Sequence, residues 1–220
     1  AAAWLPNRGG GGSAVIRSVV ILVVLAVLPG SRRSEVGLLA RPFLQTALAL
    51  QQRDAALQVG VPLVNEATRQ LLQRIRVQHA PGLEALVSIG TSRQAMAAAD
   101  VVLTASGTAT LEGLLSKRPM VVGYKLTPAT YLVARWLRLV KVEHIAMANL
   151  LSGERLAPEL IQAACEPREL IPAVQRFLDD PTSRQRIAER YRQIHQDMRT
   201  DTNHEAATAV VQLLEERGIV

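Results

Sequence analysis

The chain has 220 residues, of which 49% are apolar and 20% charged, a composition typical of globular rather than disordered proteins. Its net charge is +6, but only 3% of its residues are aromatic. Stacking platforms for nucleic acid are therefore scarce, and an anionic small molecule or membrane surface explains the charge better. The single cysteine, Cys165, excludes an internal disulfide, and the four histidines show no zinc-binding spacing. We expect neither a nucleic-acid partner nor a metal.

The N-terminal part contains a glycine-rich stretch and an apolar run. Residues 1–13 (AAAWLPNRGGGGS) are predicted to be a flexible linker or a remnant, because GGGGS does not hold one conformation. The apolar run over 19–28 is about half as long as a membrane span, although a signal-peptide core has this length. Its β-branched composition and the Pro-Gly that follows favour a strand buried on both faces.

Strands and helices then alternate along the chain. The hydrophobic patterns predict strands over 57–64, 86–89, 101–105 and 119–124, and helices over 35–53, 65–80, 92–99 and 108–116. This alternation, with Val-rich strands, is typical of a Rossmann-like α/β domain built on a doubly wound parallel sheet.

Helices dominate the rest of the chain. Helical patterns extend over 129–140, 157–164, 167–178, 182–198 and 204–217. We predict that residues 14–220 form one domain with C-terminal helices from about residue 165. The segment 126–142 mixes apolar and basic residues, which fits either an interfacial membrane helix or a helix packed on the domain. Its apolar spacing favours packing.

The first turn with binding chemistry follows the strand that ends at Leu28. In parallel α/β sheets, ligands bind beyond the carboxyl ends of the strands, at helix N-termini. Gly30 permits a tight turn, Ser31 can cap the next helix and offers a hydroxyl, and Arg32 places a guanidinium where a diphosphate would lie. An ordinary Pro-Gly turn with a capped helix explains the same residues.

The second such turn is Ser106-Gly107-Thr108, between a strand and a helix. Its small residues allow a ligand to approach the backbone, and the free N–H groups of Thr108 and Ala109 would point at phosphate oxygens. Glu112, one turn further, can accept hydrogen bonds from the hydroxyls of a ribose. Alternatively, its charge simply favours the start of the helix.

Several longer blocks occur in a fixed order. They are LPGSRRSEV from 28, VPLVN over 61–65, ASGTATLEGLLSKRPMVVGYKLTPATY over 105–131, MANLLSGERLAPELIQ over 147–162, and CEP over 165–167. Together they closely resemble the C-terminal half of bacterial lipid-A-disaccharide synthases, from about Leu28 to the end of the chain. The resemblance implies a GT-B glycosyltransferase, which has two Rossmann-like domains and a cleft between them.

The family resemblance also implies a reaction and a location. The enzyme would transfer 2,3-diacylglucosamine from UDP-2,3-diacylglucosamine to 2,3-diacylglucosamine 1-phosphate (lipid X) without a metal or another cofactor. The implied location is cytoplasmic, peripheral to the inner membrane of a Gram-negative bacterium. The C-terminal helices would pack across the cleft or exchange between two chains, so a homodimer is possible.

Site roles carried over from the family concern the donor. Arg32 would meet the diphosphate beside Gly30 and Ser31, and Glu112 would hold the ribose. Ser106, Gly107 and Thr108 would form the phosphate-binding turn. Asn149 and Gln162 correspond to family positions near the donor.

No catalytic residue is predicted in this chain. The base that deprotonates the acceptor hydroxyl is expected in the acceptor domain, which in the family precedes the LPGSR block. Asp100 is expected to cap or pair locally, whereas His79 and His144 are expected to be ordinary surface or core histidines. We therefore expect donor binding and leaving-group stabilisation only, and an incomplete enzyme.

Two alternative functions remain open from the sequence. One is another UDP-sugar enzyme of the GT-B type, such as a peptidoglycan N-acetylglucosaminyltransferase or a UDP-sugar epimerase. These share the phosphate turn and the glutamate, but not the VPLVN or NLLSGE blocks. The other is a non-catalytic nucleotide-sugar-binding fragment.

Overall fold

The structure, a computed structural model, describes residues 23–127, 144–199 and 202–217. Three predictions concern other residues: the linker over 1–13, the first part of the apolar run over 19–28, and the helix over 129–140. The described residues contain a six-stranded sheet covered by helices, so the predicted α/β architecture is confirmed.

All six strands of the sheet pair in parallel. They are β1 (Val24–Leu28), β2 (Gln58–Leu63), β3 (Ala85–Ile89), β4 (Val101–Ala105), β5 (Met120–Tyr124) and β6 (Glu159–Ile161), in the spatial order β3-β2-β1-β4-β5-β6. The chain builds outward from β1 in one direction and from β4 in the other. The strand order therefore reverses between β1 and β4, where ligands bind in doubly wound sheets.

Helices cover the sheet, and the chain ends in a helical segment, as predicted. The described helices are α1 (Arg33–Arg53), α2 (Glu66–His79), α3 (Ser92–Ala98), α4 (Thr108–Leu115), α5 (Met147–Ser152), α6 (Pro167–Asp179), α7 (Pro181–Asp197) and α8 (Thr202–Glu216). On one side, α1 packs against α2 and α6, while α4 packs against α5 and α7. None of these helices is long and apolar enough to cross a bilayer.

The central strands β1 and β4 form the middle of the core. Leu25, Ala26 and Val27 have no exposed surface, and Val101 to Leu103 are equally buried. Such strands must be apolar on both faces, because helices cover the sheet on both sides. Within the described part of the apolar run, the predicted strand is therefore confirmed.

The helix predicted over 157–164 is wrong. The chain there forms the edge strand β6 and then a 3-10 turn over Gln162–Ala164. Two contacts hold it extended: Val122 N–H donates to the carbonyl of Pro158 (2.8 Å), and the side chain of Asn149 binds both backbone groups of Ala157. Hydrogen bonding to the sheet therefore outweighs the local helical pattern of residues 157–164. The short helix α5, which precedes this segment, was not predicted.

Asp100 was expected to act locally, and this is also wrong. Its Oδ2 accepts a hydrogen bond from Val24 N–H (2.9 Å), 76 residues away in sequence. Asp100 N–H also donates to the carbonyl of Val24 (2.8 Å). The aspartate thus satisfies the first backbone donor of β1 and aligns β1 with β4.

Cys165 is buried where α1 passes over β5. Gly123 makes this contact possible, because a Cβ there would lie 2.6 Å from Cε1 of Phe43 and 2.9 Å from Sγ of Cys165. Burial raises the pKa of the Cys165 thiol to about 11, although the positive charge of Lys125 opposes the shift.

This thiol should report on unfolding. At pH 8 the native thiol should react with a disulfide reagent at least about 100-fold more slowly than in the urea-unfolded chain, from its lower thiolate fraction alone. Since the chain has one cysteine, a stopped-flow absorbance trace measures this site only. Native labelling within tenfold of the unfolded rate would contradict the burial of Cys165.

Candidate functional site

An open cavity of about 840 Å³ lies at the carboxyl ends of β1 and β4. Its walls include the turn that follows β1, the turn that follows β4, and the ends of β2, β3 and β5. It therefore occupies the place where the strand order reverses. Seven of the predicted site residues line it, namely Gly30, Ser31, Arg32, Ser106, Gly107, Thr108 and Glu112.

A second cavity of about 700 Å³ lies along α2 and the edge strand β3. Long polar side chains line it, including Arg69, Arg74 and Arg76. Helix α2 begins there, at Glu66, but Asn65 caps its first turn by accepting from Thr68 N–H, and no glycine lines the cavity. The cavity at β1 and β4 is therefore the better candidate for a ligand site.

The turn after β1 is held by Glu35. Its Oε2 accepts hydrogen bonds from the N–H groups of Ser31 (2.9 Å) and Arg32 (3.2 Å). Ser31 was expected to cap α1, but the N-cap position is Arg32, and the carboxylate of Glu35 provides the capping contacts. The hydroxyl of Ser31 lies at the cavity, as does the guanidinium of Arg32, whose side chain is 81% exposed and whose Nη1 lies 3.5 Å from Oε1 of Glu35.

Gly30 makes this turn possible. Its φ is +121°, a conformation that side chains rarely adopt, and a Cβ there would lie 2.5 Å from Cβ of Glu35. The glycine therefore allows both the backbone bend and the close approach of the carboxylate. The sequence predicted only the tight turn, whereas the structure shows that the contact with Glu35 also requires a glycine at this position.

The turn after β4 presents the start of α4 to the cavity. Gly107 has a φ of +132°, and Thr110 closes the turn by donating from its N–H (3.0 Å) and its Oγ1 (2.7 Å) to the carbonyl of Gly107. Thr108 and Ala109 are the first helical residues, so their N–H groups have no acceptor within α4. These donors and the helix dipole suit an anion.

The segment that carries His144 and Ile145 is fastened to this turn. Oγ of Ser106 donates to the carbonyl of Ile145 (3.1 Å), and Met147 N–H donates to Oγ1 of Thr110 (3.0 Å). From the other side, Oε1 of Glu159 accepts from the N–H groups of Ile145 (3.0 Å) and Ala146 (2.8 Å). The edge strand β6 thereby fixes one wall of the cavity.

Asn149 and Gln162, predicted near the donor, do not line the cavity. Asn149 has no exposed surface, and its side chain binds Ala157 and Glu159. Its polar atoms are therefore occupied within the protein. Gln162 lies behind the wall, where its Oε1 accepts from the N–H of Leu126 (3.1 Å). Both side chains therefore contact other parts of the protein around the cavity.

His144 was expected to be an ordinary histidine, but it lines the cavity. The residue is 9% exposed, and its Nδ1 lies 3.9 Å from Oε2 of Glu159. It lies outside the blocks that resemble the family, but only three residues before the block that begins at Met147, and this proximity was the available signal. His79, by contrast, is exposed at the end of α2.

Nowhere in the described ranges do three or more His, Cys, Asp or Glu side chains cluster as metal ligands.

Comparison with known proteins decides the family. A family model described as lipid-A-disaccharide synthetase matches residues 21–213. The chain belongs to the lipid-A-disaccharide synthetase family. The lipid-A-disaccharide synthase of Haemophilus influenzae strain PittGG is 46% identical over 195 residues, which cover 87% of this chain and 50% of that protein. The chain thus spans about half the length of such members of the lipid-A-disaccharide synthetase family.

Solved structures support the fold of this family member. The C-terminal CMP-Kdo binding domain of WaaA from Acinetobacter baumannii has a TM-score of 0.51 at 13% identity, and the match covers 79% of this chain and 89% of that one. The calicheamicin glycosyltransferase CalG4 has a TM-score of 0.50 at 20% identity, with 89% and 44% covered. At these identities the likeness concerns the fold alone, which is that of a glycosyltransferase domain.

Proposed function

We propose that this chain is the nucleotide-sugar-binding half of a lipid-A-disaccharide synthase. The reaction is transfer of 2,3-diacylglucosamine from UDP-2,3-diacylglucosamine to 2,3-diacylglucosamine 1-phosphate, with release of UDP. The observation that carries the proposal is the cavity between β1 and β4, where two turns suited to phosphate meet. Membership of the family supplies the substrate class.

The geometry supports a division of roles within the donor site. The diphosphate lies between the turn at Gly30 to Arg32 and the start of α4, where the N–H groups of Thr108 and Ala109 and the guanidinium of Arg32 offset its charge. Glu112, one helical turn away, accepts hydrogen bonds from the ribose hydroxyls. In the transition state, negative charge grows on the departing UDP, so these fixed donors also stabilise the leaving group.

The acceptor half of the reaction is assigned to the part of the relatives that this chain does not cover. That part, about half of each relative, supplies the base and the site for 2,3-diacylglucosamine 1-phosphate. In this proposal residues 14–220 are the donor domain and residues 1–13 a linker. The acylated substrates place the enzyme on the cytoplasmic face of the inner membrane of a Gram-negative bacterium. A homodimer stays a prediction.

A pair of neighbouring arginines tests the donor site. Arg32→Ala should weaken binding of UDP by about tenfold, since a charge-assisted contact from an exposed guanidinium is lost. Arg33→Ala removes the same charge one residue away, outside the cavity lining, and should change the dissociation constant less than about threefold. Isothermal titration calorimetry of UDP into each folded variant measures both.

Two outcomes of this titration count against the proposal. Absence of UDP binding by the folded, unsubstituted chain would refute the donor site. Equal weakening by Arg32→Ala and Arg33→Ala would show that the net charge, rather than the position of Arg32, attracts the nucleotide.

A further inference from the structure

His144 has a buried ring and an incomplete set of contacts. The residue is 9% exposed, and its Nδ1 is buried without a hydrogen bond, 3.9 Å from Oε2 of Glu159. Leaving a buried polar atom unpaired is costly, so such an arrangement calls for a reason. Because the same residue lines the cavity, a ligand that changes the state of the ring supplies one.

The carboxylate of Glu159 is arranged to favour a charged partner. Its side chain is 9% exposed, and Oε1 accepts three hydrogen bonds, from Ile145 N–H, Ala146 N–H and Nδ2 of Asn149. Oε2 faces the ring of His144. Oε2 is thus a possible acceptor for an Nδ1–H of that ring, and a buried carboxylate is stabilised by a nearby positive charge.

The position of His144 along the cavity indicates which part of a nucleotide sugar it meets. The bond from Ser106 to Ile145 places His144 beside the turn that begins α4. On the other side of the phosphate-suited turns, the end of β2 contributes apolar Pro62 and Leu63, followed by Val64. That flank suits the flat face of a nucleobase. The flank with His144 therefore faces the far end of the ligand, where the terminal phosphate and the sugar lie.

We propose that His144 binds the terminal phosphate of the diphosphate as an imidazolium, held between that phosphate and Glu159. This inference rests on the proposed donor site. A neutral imidazole has one N–H, which cannot serve both Glu159 and a phosphate oxygen, so the ring takes up one proton from solvent as the diphosphate binds. The same proton returns to solvent when UDP leaves. Nucleotide binding and proton uptake are thereby linked.

Two of the other charged groups around the cavity are engaged elsewhere. Glu35 binds the turn after β1, and Nζ of Lys125 lies 2.5 Å from Oε1 of Glu166. Arg32 and Glu112 line the cavity, as does Tyr124 at the end of β5. Among the side chains that the structure describes, Glu159 is the charged group recorded in contact with His144.

Calorimetry can detect the linked proton. UDP is titrated into the 220-residue chain at pH 7.5 in HEPES and in Tris, whose ionisation enthalpies differ, so that the difference in heat gives the number of protons taken up. We expect net uptake by the unsubstituted chain and less uptake by His144→Gln, which keeps a hydrogen-bonding side chain but cannot titrate. Contact with cationic groups of the protein can only remove protons from the phosphates of UDP. Net proton uptake must therefore come from the protein.

Ligand length provides the second readout. His144→Gln should weaken UDP binding by about tenfold, the loss expected for one charge-assisted hydrogen bond, and leave UMP binding within about threefold. The control variant is His79→Gln, which changes an exposed histidine at the end of α2. It should alter neither affinity nor proton uptake. Circular dichroism confirms that each variant is folded.

The outcomes separate this inference from the proposed function. If the unsubstituted chain does not bind UDP, the proposed donor site fails. If it binds UDP without proton uptake between pH 6.5 and 8, the inference alone is overturned, and this arm needs no variant. Equal weakening of UDP and UMP by His144→Gln would place the ring at the nucleoside or in the fold, which also overturns it.

Discussion

Replacing Asn149 with alanine is expected to destabilise the chain by about 4 kcal/mol. The substitution removes three hydrogen bonds of 2.8 to 2.9 Å, two to the backbone of Ala157 and one to Glu159. It leaves the N–H and carbonyl of a residue that is 1% exposed without partners. Each such buried group costs about 1–3 kcal/mol.

Asn149→Asp sharpens this test, because the two side chains have the same shape. A carboxylate at this position cannot donate to Ala157 and faces Oε1 of Glu159, which now accepts from Nδ2. Its loss of stability should therefore exceed that of Asn149→Ala at pH 8 and shrink as the pH is lowered towards 4, where a carboxyl group takes up a proton.

Urea unfolding followed by circular dichroism measures both changes. Asn65→Ala is the matched control, since Asn65 caps α2 at the surface through a hydrogen bond from Thr68 N–H (3.0 Å). Its loss should be about 1 kcal/mol. A loss as small for Asn149→Ala would contradict a structural role, and would return Asn149 to the candidates for direct ligand contact.

Gly30→Ala is expected to cost about 3 kcal/mol and to abolish measurable UDP binding. The alanine must adopt a φ near +121°, which is strained by about 1–3 kcal/mol. Its Cβ would also meet Cβ of Glu35 at 2.5 Å and Oε2 at 2.7 Å. To relieve the clash, the carboxylate must leave the N–H groups of Ser31 and Arg32, so the turn loses its shape.

The control for Gly30 is another glycine seven residues later. Gly37 lies inside α1, and a Cβ there would meet no atom within 4 Å. Gly37→Ala should therefore stabilise the chain by about 0.5–1 kcal/mol, because alanine favours the helix. Denaturation midpoints and UDP titrations of the two variants make the comparison. If Gly30→Ala binds UDP as tightly as Gly37→Ala does, the turn after β1 is not part of the site.

Local sequence patterns were sufficient for most of the fold. The Val-rich run that became β4 and the periodic segment that became α1 each express their environment directly, since a strand covered on both faces must be apolar throughout and an amphipathic helix repeats every 3.6 residues. The pattern failed at β6, where residues with helical periodicity pair with β5. There the hydrogen bonds of the sheet edge and of Asn149 decide, and neither is visible in the local sequence.

The candidate site divides in the same way. The turns at Gly30 and Gly107 were evident from the sequence, because glycine and small residues between a strand and a helix already specify a bend and free N–H groups. Contacts between distant segments were not. Glu159 reaches His144 across 15 positions, and Asn149 is turned into the core. Only the tertiary structure shows that His144 lines the cavity and that Asn149 does not. The direction of each side chain depends on how its backbone segment packs against β6 and α4, which are distant in sequence.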